Sequence, residues 1–413
     1  MQTDCIILGG GAGGLAAACA LAGSGLRVTL VERLDRVGKK ILATGNGRCN
    51  LSNRDMDPSY YGHAEPFVRD LYHAIPPEQV ASFFSRLGLM TAEEDGRVYP
   101  RSMMAASVLD VLRAGCDHPD VTLVTGCEAV SIAPSRRGGM CVQLSSGEGL
   151  FAPAVIAAMG GSAAPNMGTD GAGTRLMGEL GHEITPLHPA LVQLKCDHPS
   201  LRSLKGLRTH ARLTLLIDGQ DAASEDGELL FADYGVSGVC VFQLSRLASP
   251  ALAAGKDVQL RINFLPEIPS SDWLETRIAS LASCSALGLL TGVFPRILSL
   301  ALLREAGINP DAPAASLNPG QRRSLIRALS SLTLPVTGTQ GFKNAQVTCG
   351  GVSLADVDPS SMASKIYDGL YICGELLDVD GPCGGYNLHF AFASALAAAQ
   401  HIRRRFGLTP CGL

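Results

Sequence analysis

Near the N-terminus an apolar run, Asp4-Cys5-Ile6-Ile7-Leu8, feeds the glycine turn Gly9-Gly10-Gly11-Ala12-Gly13-Gly14. An alanine-rich stretch follows, then a second apolar run, Arg27-Val28-Thr29-Leu30-Val31, that ends on Glu32 and Arg33. Glycines placed this way between a strand and a helix have separate tasks. Gly9 permits the tight turn, Gly11 lets backbone approach a pyrophosphate, and Gly14 lets helix and strand pack closely. The N–H groups at Ala12, Gly13 and Gly14, with the helix dipole behind them, then hold phosphate oxygens. Glu32 stands where an acid accepts a hydrogen bond from a ribose hydroxyl, and Arg33 lines the same pocket. With both strands, the helix and the acid in place, the pattern predicts a dinucleotide site.

A second chemistry-bearing stretch is the polar loop Gly38-Lys39-Lys40-Ile41-Leu42-Ala43-Thr44-Gly45-Asn46-Gly47-Arg48-Cys49-Asn50. Asn46, Arg48 and Asn50 are the first choices for hydrogen bonds to a cofactor ring or a substrate, with Lys40, Thr44 and Gly45 beside them. A loop network that only shapes itself explains the same residues. Cys49 invites a redox reading, but no CxxC partner accompanies it. A third stretch lies at the far end, where Gly381-Pro382-Cys383-Gly384-Gly385 leads into Tyr386, Asn387 and Leu388. A phenol held close to substrate is a usable general acid, so Tyr386 is a candidate proton donor. His389 reads as a helix-surface or packing residue. The candidate catalytic set is Tyr386, Asn387, Arg48 and Cys49.

The elements that must position these groups favour FAD over a nicotinamide cofactor. Only one complete fingerprint is present; Gly171-Ala172-Gly173-Thr174 follows no apolar strand. The run Ala154-Val155-Ile156-Ala157-Ala158-Met159-Gly160-Gly161 reads as a buried strand returning the chain to the nucleotide, with Met159, Gly160 and Gly161 in contact with it. The terminal strand ends on Gly374-Glu375, and a helix starts after Gly384-Gly385. That helix N-terminus would face the pyrimidine end of a flavin and stabilise negative charge on the reduced ring by roughly 0.5–2 kcal/mol. Val130 completes the expected cofactor contacts. No second nicotinamide fold is written in the chain, so NAD(P)H is expected as a transient donor, in half-reactions that alternate at one flavin.

Composition narrows the class. The chain has 413 residues, 17% of them charged, and a net charge of −4, so no global basic field invites nucleic acid. Its 13 cysteines are an odd number, scattered from Cys5 to Cys411, and never cluster with histidine at zinc spacing. They read as buried free thiols of a reducing cytosol. Residues 5–23 are apolar but begin after Asp4, without a basic leader, so neither an export signal nor a membrane anchor is expected.

The predicted fold class is α/β, a two-dinucleotide-binding-domain flavoprotein with a Rossmann-like FAD domain and an inserted β-rich plus helical domain. The FAD domain is expected to be discontinuous, over 1–190 and 340–413. The insertion takes 191–339, β-rich over 191–265 and helical over 270–335.

The run Thr44-Gly45-Asn46-Gly47-Arg48-Cys49-Asn50-Leu51-Ser52-Asn53 resembles the signature of the bacterial flavoprotein family labelled HI0933-like, or BaiN/RdsA. Gly96-Arg97-Val98-Tyr99-Pro100, Gly235-Val236-Ser237-Gly238, Ala345-Gln346-Val347-Thr348, Gly350-Gly351-Val352 and Gly374 through Leu388 extend the likeness, in order, over nearly the whole chain. Two residues depart from the family pattern, Cys383 in place of the commoner threonine and Cys349 in place of alanine. The resemblance implies bound FAD, a cytoplasmic location and an oxidoreductase that adds hydride and proton to a conjugated double bond. Within the family that bond belongs to a steroid-type enone, as in bile acids, or to uracil in ribosomal RNA; an aminoacetone oxidase label also circulates. A small-molecule substrate is expected. RNA is the alternative, through the locally basic strip Lys195, Arg202, Lys205, Arg208, His210 and Arg212, with Lys205, Arg208 and Arg212 foremost, although a solvated sheet face is the preferred reading of the strip and no aromatic platform accompanies it. A flavin-containing binding module without its own substrate and a plain NAD dehydrogenase are the readings from other classes.

Overall fold

The computed structural model describes residues 3–281 and 283–409, except the side chain of Ser270; Cys411 lies outside them. Contacts divide the chain into two compact units, residues 1–188 with 346–413, and Pro189–Ala345.

The first unit is built on a five-stranded parallel sheet. Its strands are β1 (Cys5–Leu8), β2 (Val28–Glu32), β3 (Val121–Thr125), β4 (Ala154–Ala157) and β5 (Leu370–Ile372), in the spatial order β5-β4-β1-β2-β3. β1 is apolar throughout and buried at every position, as a central strand covered on both faces must be. Its register sets Cys5 opposite both Val28 and Ala154. Helix α1 (Ala12–Leu21) connects β1 to β2 and is buried on nearly every side, which its small alanine and glycine residues permit. The last helix, α4 (Tyr386–Arg405), packs on α1, and the Gly13 backbone lies against Ala391. Between β2 and β3 run α2 (Lys39–Ala43), two helices at Glu65–Ala74 and Pro77–Arg86 separated at Pro76, and α3 (Ala105–Cys116). A three-stranded antiparallel sheet (Ala129–Pro134, Met140–Leu144, Gly149–Ala152) precedes β4.

The second unit holds a closed barrel of strands Leu194–Cys196, Gly235–Ser237, Gln220–Ala232, Arg208–Ile217, Val258–Asn263 and Leu332–Thr339, in that order around the barrel. Leu213 and Leu215 face the core with Leu229, Phe231, Leu260, Ile262 and Leu334. Two details differ from the sequence reading. The stretch expected to be β-rich contains the helix Val239–Ala253, where Val241, Leu244, Ala248 and Ala251 recur at helical spacing on the buried side. The stretch expected to be helical to 335 ends in a strand from Leu332, where apolar residues alternate with Thr333, Pro335 and Thr337. Helices Ser270–Ser280, Ala286–Leu290, Arg296–Glu305 and Pro319–Ser330 precede it.

The three foremost members of the basic strip, the alternative contact for ribosomal RNA, are paired with carboxylates. Lys205 pairs with Asp233 at 2.6 Å, Arg208 with Glu228, and Arg212 with Asp226 at 2.8 Å. Arg212 and Asp226 are direct cross-strand partners, so the sheet register itself makes that pair. Such a ladder presents little free positive charge to a phosphate backbone. Among the described residues no helix is long and apolar enough to cross a membrane.

Candidate functional site

The turn after β1 forms a cradle of backbone N–H groups. Gly11 occupies the N-cap of α1, and no side chain caps the helix. The N–H groups of the first turn therefore have neither an intrahelical partner nor a capping oxygen. A Cβ added at Gly11 would meet nothing within 4 Å, so the cradle opens beside it. At Gly14 a Cβ would stand 1.8 Å from the Gly9 carbonyl oxygen, and at Gly9 it would stand 2.5 Å from that of Ala158. Open space at Gly11 and backbone contact at Gly9 and Gly14 suit an anion seated on the helix N-terminus.

Glu32, at the end of β2, is buried and already oriented. Its carboxylate accepts from the Gly10 N–H at 2.7 Å and from the Leu34 N–H at 2.8 Å. Arg33 pairs with Asp170 at 2.7 Å and with Glu128 at 3.3 Å, and these neighbours hold its guanidinium above the usual arginine range, Asp170 foremost. Val130 lies two residues beyond Glu128, exposed on the antiparallel sheet. Met159, Gly160 and Gly161 leave β4 on the other side, and Gly161 lies against Thr348.

A second cluster joins the polar loop to the C-terminal segment. Lys40 on α2 donates to Glu375 at 2.8 Å, and Glu375 accepts from the Thr348 N–H at 3.0 Å. The Thr348 hydroxyl in turn accepts from Ser162 and Ala163 N–H groups, at 2.8 and 3.0 Å. Gly374 donates to Ser394 at 3.0 Å, fixing the end of β5 on α4. The loop itself is held in unusual backbone geometry: Gly45, Asn46, Gly47 and Cys49 have φ of 56°, 55°, 85° and 57°. Two non-glycine residues in the left-handed region within one turn mark a conformation that its surroundings must enforce. Thr44 closes it by donating to Ile41 at 2.6 Å. With its NH2 toward Ser52 and Val98, the Asn50 amide presents its oxygen to the Gly385 N–H at 3.2 Å. Asn46 is exposed, and Leu388 is half-buried in the first turn of α4.

The four groups singled out for catalysis fare differently. Tyr386 opens α4, buried, with its ring 4.9 Å from that of Tyr60. Burial, then the neighbouring Tyr60 and Asp55, push its phenol well above the ordinary tyrosine range, so it stays protonated. Asn387 is spent on the turn: its oxygen accepts from Gly381 at 2.8 Å, and its NH2 donates to the Gly381 and Pro382 carbonyls at 2.8 and 3.3 Å. Arg48 is paired with Glu94 at 3.0 Å and lies over the Tyr99 ring at 4.6 Å. Cys49 is fully buried, and burial pushes its thiol up to about 11, which argues for packing rather than nucleophilic or redox use. His389 is fully buried too. Its Nδ1 shares a 2.8 Å hydrogen bond with Ser52, Nε2 has no partner, and burial lowers its pKa to about 3. It packs as a neutral ring.

Several residues escaped the sequence reading. Thr348 and Asn53 lie in the quoted motifs but had no assigned role; Asn53 donates to the Gly384 carbonyl at 2.9 Å. Asp378 pairs with His63 at 3.3 Å. Burial alone would raise the Asp378 carboxyl, but His63, Thr185 and the Gly350 N–H outweigh it and hold the group below the usual range. The hydrogen bond to Asp378 lifts His63 above its ordinary value, against partial burial. No periodicity or spacing connects residue 63 to residue 378.

Fold and site together define a class: a two-dinucleotide-binding-domain flavoprotein with a Rossmann-like FAD domain and an inserted β-rich and helical domain. The donor set fits that cofactor, with an uncapped helix N-terminus for the pyrophosphate, an oriented carboxylate for the ribose and a second uncapped helix N-terminus at Gly385. Within the class, the chain belongs to the HI0933-like family, whose Rossmann-domain model matches residues 3–401. It is 40% identical over 405 residues to a 3-dehydro-bile acid delta(4,6)-reductase of Clostridium scindens, covering 97% of this chain and 98% of the relative. It is 28% identical over 401 residues to the ribosomal RNA dihydrouridine synthase of Escherichia coli, covering 97% and 98%. Among solved structures it is similar to the 3-ketosteroid delta1-dehydrogenase of Sterolibacterium denitrificans, with a TM-score of 0.51 and 14% identity over 98% of this chain and 99% of that one.

The cradle geometry separates two glycine substitutions. Gly14→Ala forces a backbone clash and is expected to destabilise the protein by about 1–3 kcal/mol, read by denaturant unfolding. Gly11→Ala is expected to melt like the wild type without cofactor yet purify with little flavin absorbance. Native flavin content in that variant would remove Gly11 from the phosphate site. The His63–Asp378 pair sets a pH window. The raised histidine contributes stability below about pH 6.5, lost as pH rises through its folded value, and the depressed aspartate contributes above about pH 3.8, lost as pH falls through its own. The pair is partly exposed, so His63→Gln is expected to cost on the order of 0.5 kcal/mol near pH 6 and less at pH 9. Equal losses at the two pH values would show that the pair is not ionic.

Proposed function

We propose that the chain is an FAD-dependent reductase of an activated C=C bond in a small steroid-type enone, of the bile-acid kind, with NAD(P)H visiting as electron donor. The observation that carries this reading is the 40% identity to the bile-acid reductase over nearly the full length of both chains.

Bound FAD supplies the hydride. The first turn of α1 would hold its phosphates, and Glu32 would orient the ribose. The N-terminus of α4, which no side chain caps, would offer N–H groups and a positive dipole end to negative charge on the ring. Addition across an enone also requires a proton at the carbon next to the carbonyl. Of the four residues singled out by sequence, Tyr386 alone keeps a titratable proton in a suitable state, since Arg48 and Asn387 are engaged and Cys49 is enclosed. A phenol with a raised pKa remains an acid through the physiological range and gives up its proton only to a strong base, such as an enolate. The charge-paired strip at Lys205, Arg208 and Arg212 lends no support to an RNA substrate.

The test is anaerobic. Flavin bleached by NADPH is mixed with a bile acid carrying a 3-oxo group conjugated to ring double bonds. Flavin reoxidation with loss of enone absorbance is expected. A reduced flavin indifferent to the enone, together with missing dihydrouridine in ribosomal RNA of a deletion strain, would overturn the reading in favour of RNA. Tyr386→Phe is expected to slow the enone step by about 10²–10⁴-fold while leaving the rate of bleaching by NADPH unchanged. Equal slowing of both steps would assign Tyr386 to holding the flavin instead.

A further inference from the structure

Two cysteines that play no part in the proposed chemistry face each other across the packing of α1 and α3. Cys19 on α1 and Cys116, the last residue of α3, bring their sulfur atoms within 3.4 Å, although 97 residues separate them in the chain. Each is also tied to the backbone of the opposite helix. The Cys19 thiol reaches the Leu112 carbonyl at 3.1 Å, and the Cys116 thiol reaches the Leu15 carbonyl at 3.7 Å. The helices come this close because residue 115 is glycine: a Cβ there would stand 2.8 Å from the Cys19 sulfur. Cys116 is buried, whereas Cys19 is partly exposed.

We propose that Cys19 and Cys116 form an oxidation site at which a hydroperoxide joins α1 to α3 through a disulfide. Neighbouring helices already hold the two sulfurs in contact, so closure needs side-chain rotation and a small approach of the backbones. Cys19 is the entry point, being the accessible member. Its thiolate displaces water from hydrogen peroxide and becomes a sulfenic acid. The Cys116 sulfur then attacks the Cys19 sulfur; the S–S bond forms, the S–O bond breaks, and a second water leaves. The two thiols lose two protons and two electrons, and the peroxide is reduced to two waters. The hydrogen bond between the Cys19 and Cys116 thiols, together with burial, holds the Cys19 proton tightly. The reaction is therefore slow and needs sustained peroxide, unlike that of a low-pKa sensor thiol.

The consequence falls on α1, the helix whose first turn forms the phosphate cradle. A cross-link closing so long a loop restrains the unfolded chain and raises the denaturant midpoint.

Thiol counting and peptide mapping on the full-length protein test the site. Before oxidation the denatured protein should titrate 13 thiols. After prolonged peroxide treatment the thiols lost should include Cys19 and Cys116, alongside exposed Cys141, and non-reducing digestion should yield one peptide pair containing Cys19 and Cys116. Reductant should restore both thiols and lower the denaturant midpoint to its starting value. Cys19→Ser and Cys116→Ser should each abolish the cross-linked pair. A full thiol count after peroxide, a pair formed by other cysteines, or oxidation that stops at sulfinic acid on Cys19 would each overturn the proposal. The readout is made on the wild-type chain, so it does not depend on either variant folding.

Discussion

The first unit depends on a contact between backbones. The first turn of α1 lies so close to the turn after β1 that a Cβ at Gly14 would fall on the Gly9 carbonyl, while Gly9 lies on the carbonyl of Ala158 at the end of β4. Side chains are excluded at both places, so sheet and helix approach as two bare backbones. The approach orders the rest. It buries α1 deeply enough that its remaining faces carry only small or apolar residues, Ala, Gly, Leu and Cys19. It also leaves room for α4, rich in alanine, to pack on the same helix. Larger residues on α1 would push α4 outward, and with it the turn from Gly381 to Gly385. The far C-terminus thus owes its position to glycines near the N-terminus.

Polar contacts then lock what packing brings together. Lys40, Glu375, Thr348 and the backbone of Ser162 and Ala163 form one continuous network. It joins the segments after β2, after β4 and after β5, each leaving the carboxyl end of its strand. A doubly wound sheet places its ligand at those ends, where neighbouring connections diverge. With each donor and acceptor of the network matched inside a partly buried region, the loops are held in place before any ligand binds. Preorganised loops of this kind reduce the ordering cost that binding would otherwise impose.

The sequence revealed what rests on local pattern. The glycine turn, Glu32, the buried strands and the start of α4 each have a short signature, and each lies where its signature put it. The signal failed where structure depends on long-range partners. Arg48 has the same appearance in the chain whether it faces a ligand or pairs with Glu94 and Tyr99. Asn387 reads as a functional amide beside a tyrosine, yet closing the Gly381 turn consumes both ends of it. The basic strip is plain in the sequence, but the acids that pair with Arg208 and Arg212 sit on the next strand, and only the register at Arg212 and Asp226 reveals that pairing. The helix Val239–Ala253 opens on Val239-Cys240-Val241-Phe242, four residues of strand-like composition, and its helical spacing at Val241, Leu244, Ala248 and Ala251 emerges only over the longer run.

Glu32 carries the argument about cofactor choice further. Its two oxygens are fixed by the Gly10 and Leu34 N–H groups at 2.7 and 2.8 Å, so the carboxylate is oriented before any nucleotide arrives. An ionised carboxylate has lone pairs beyond those two and can still accept from ribose hydroxyls. A phosphate on the same ribose would offer it no donor and would bring negative charge against a buried carboxylate. Arg33, the next residue along, gives no relief, because Asp170 and Glu128 already occupy it. In the proposed reading this site therefore favours the unphosphorylated adenosine of FAD and disfavours NADPH as its occupant. A phosphorylated donor must then reach the flavin by another route, which is what transient visits in alternating half-reactions require.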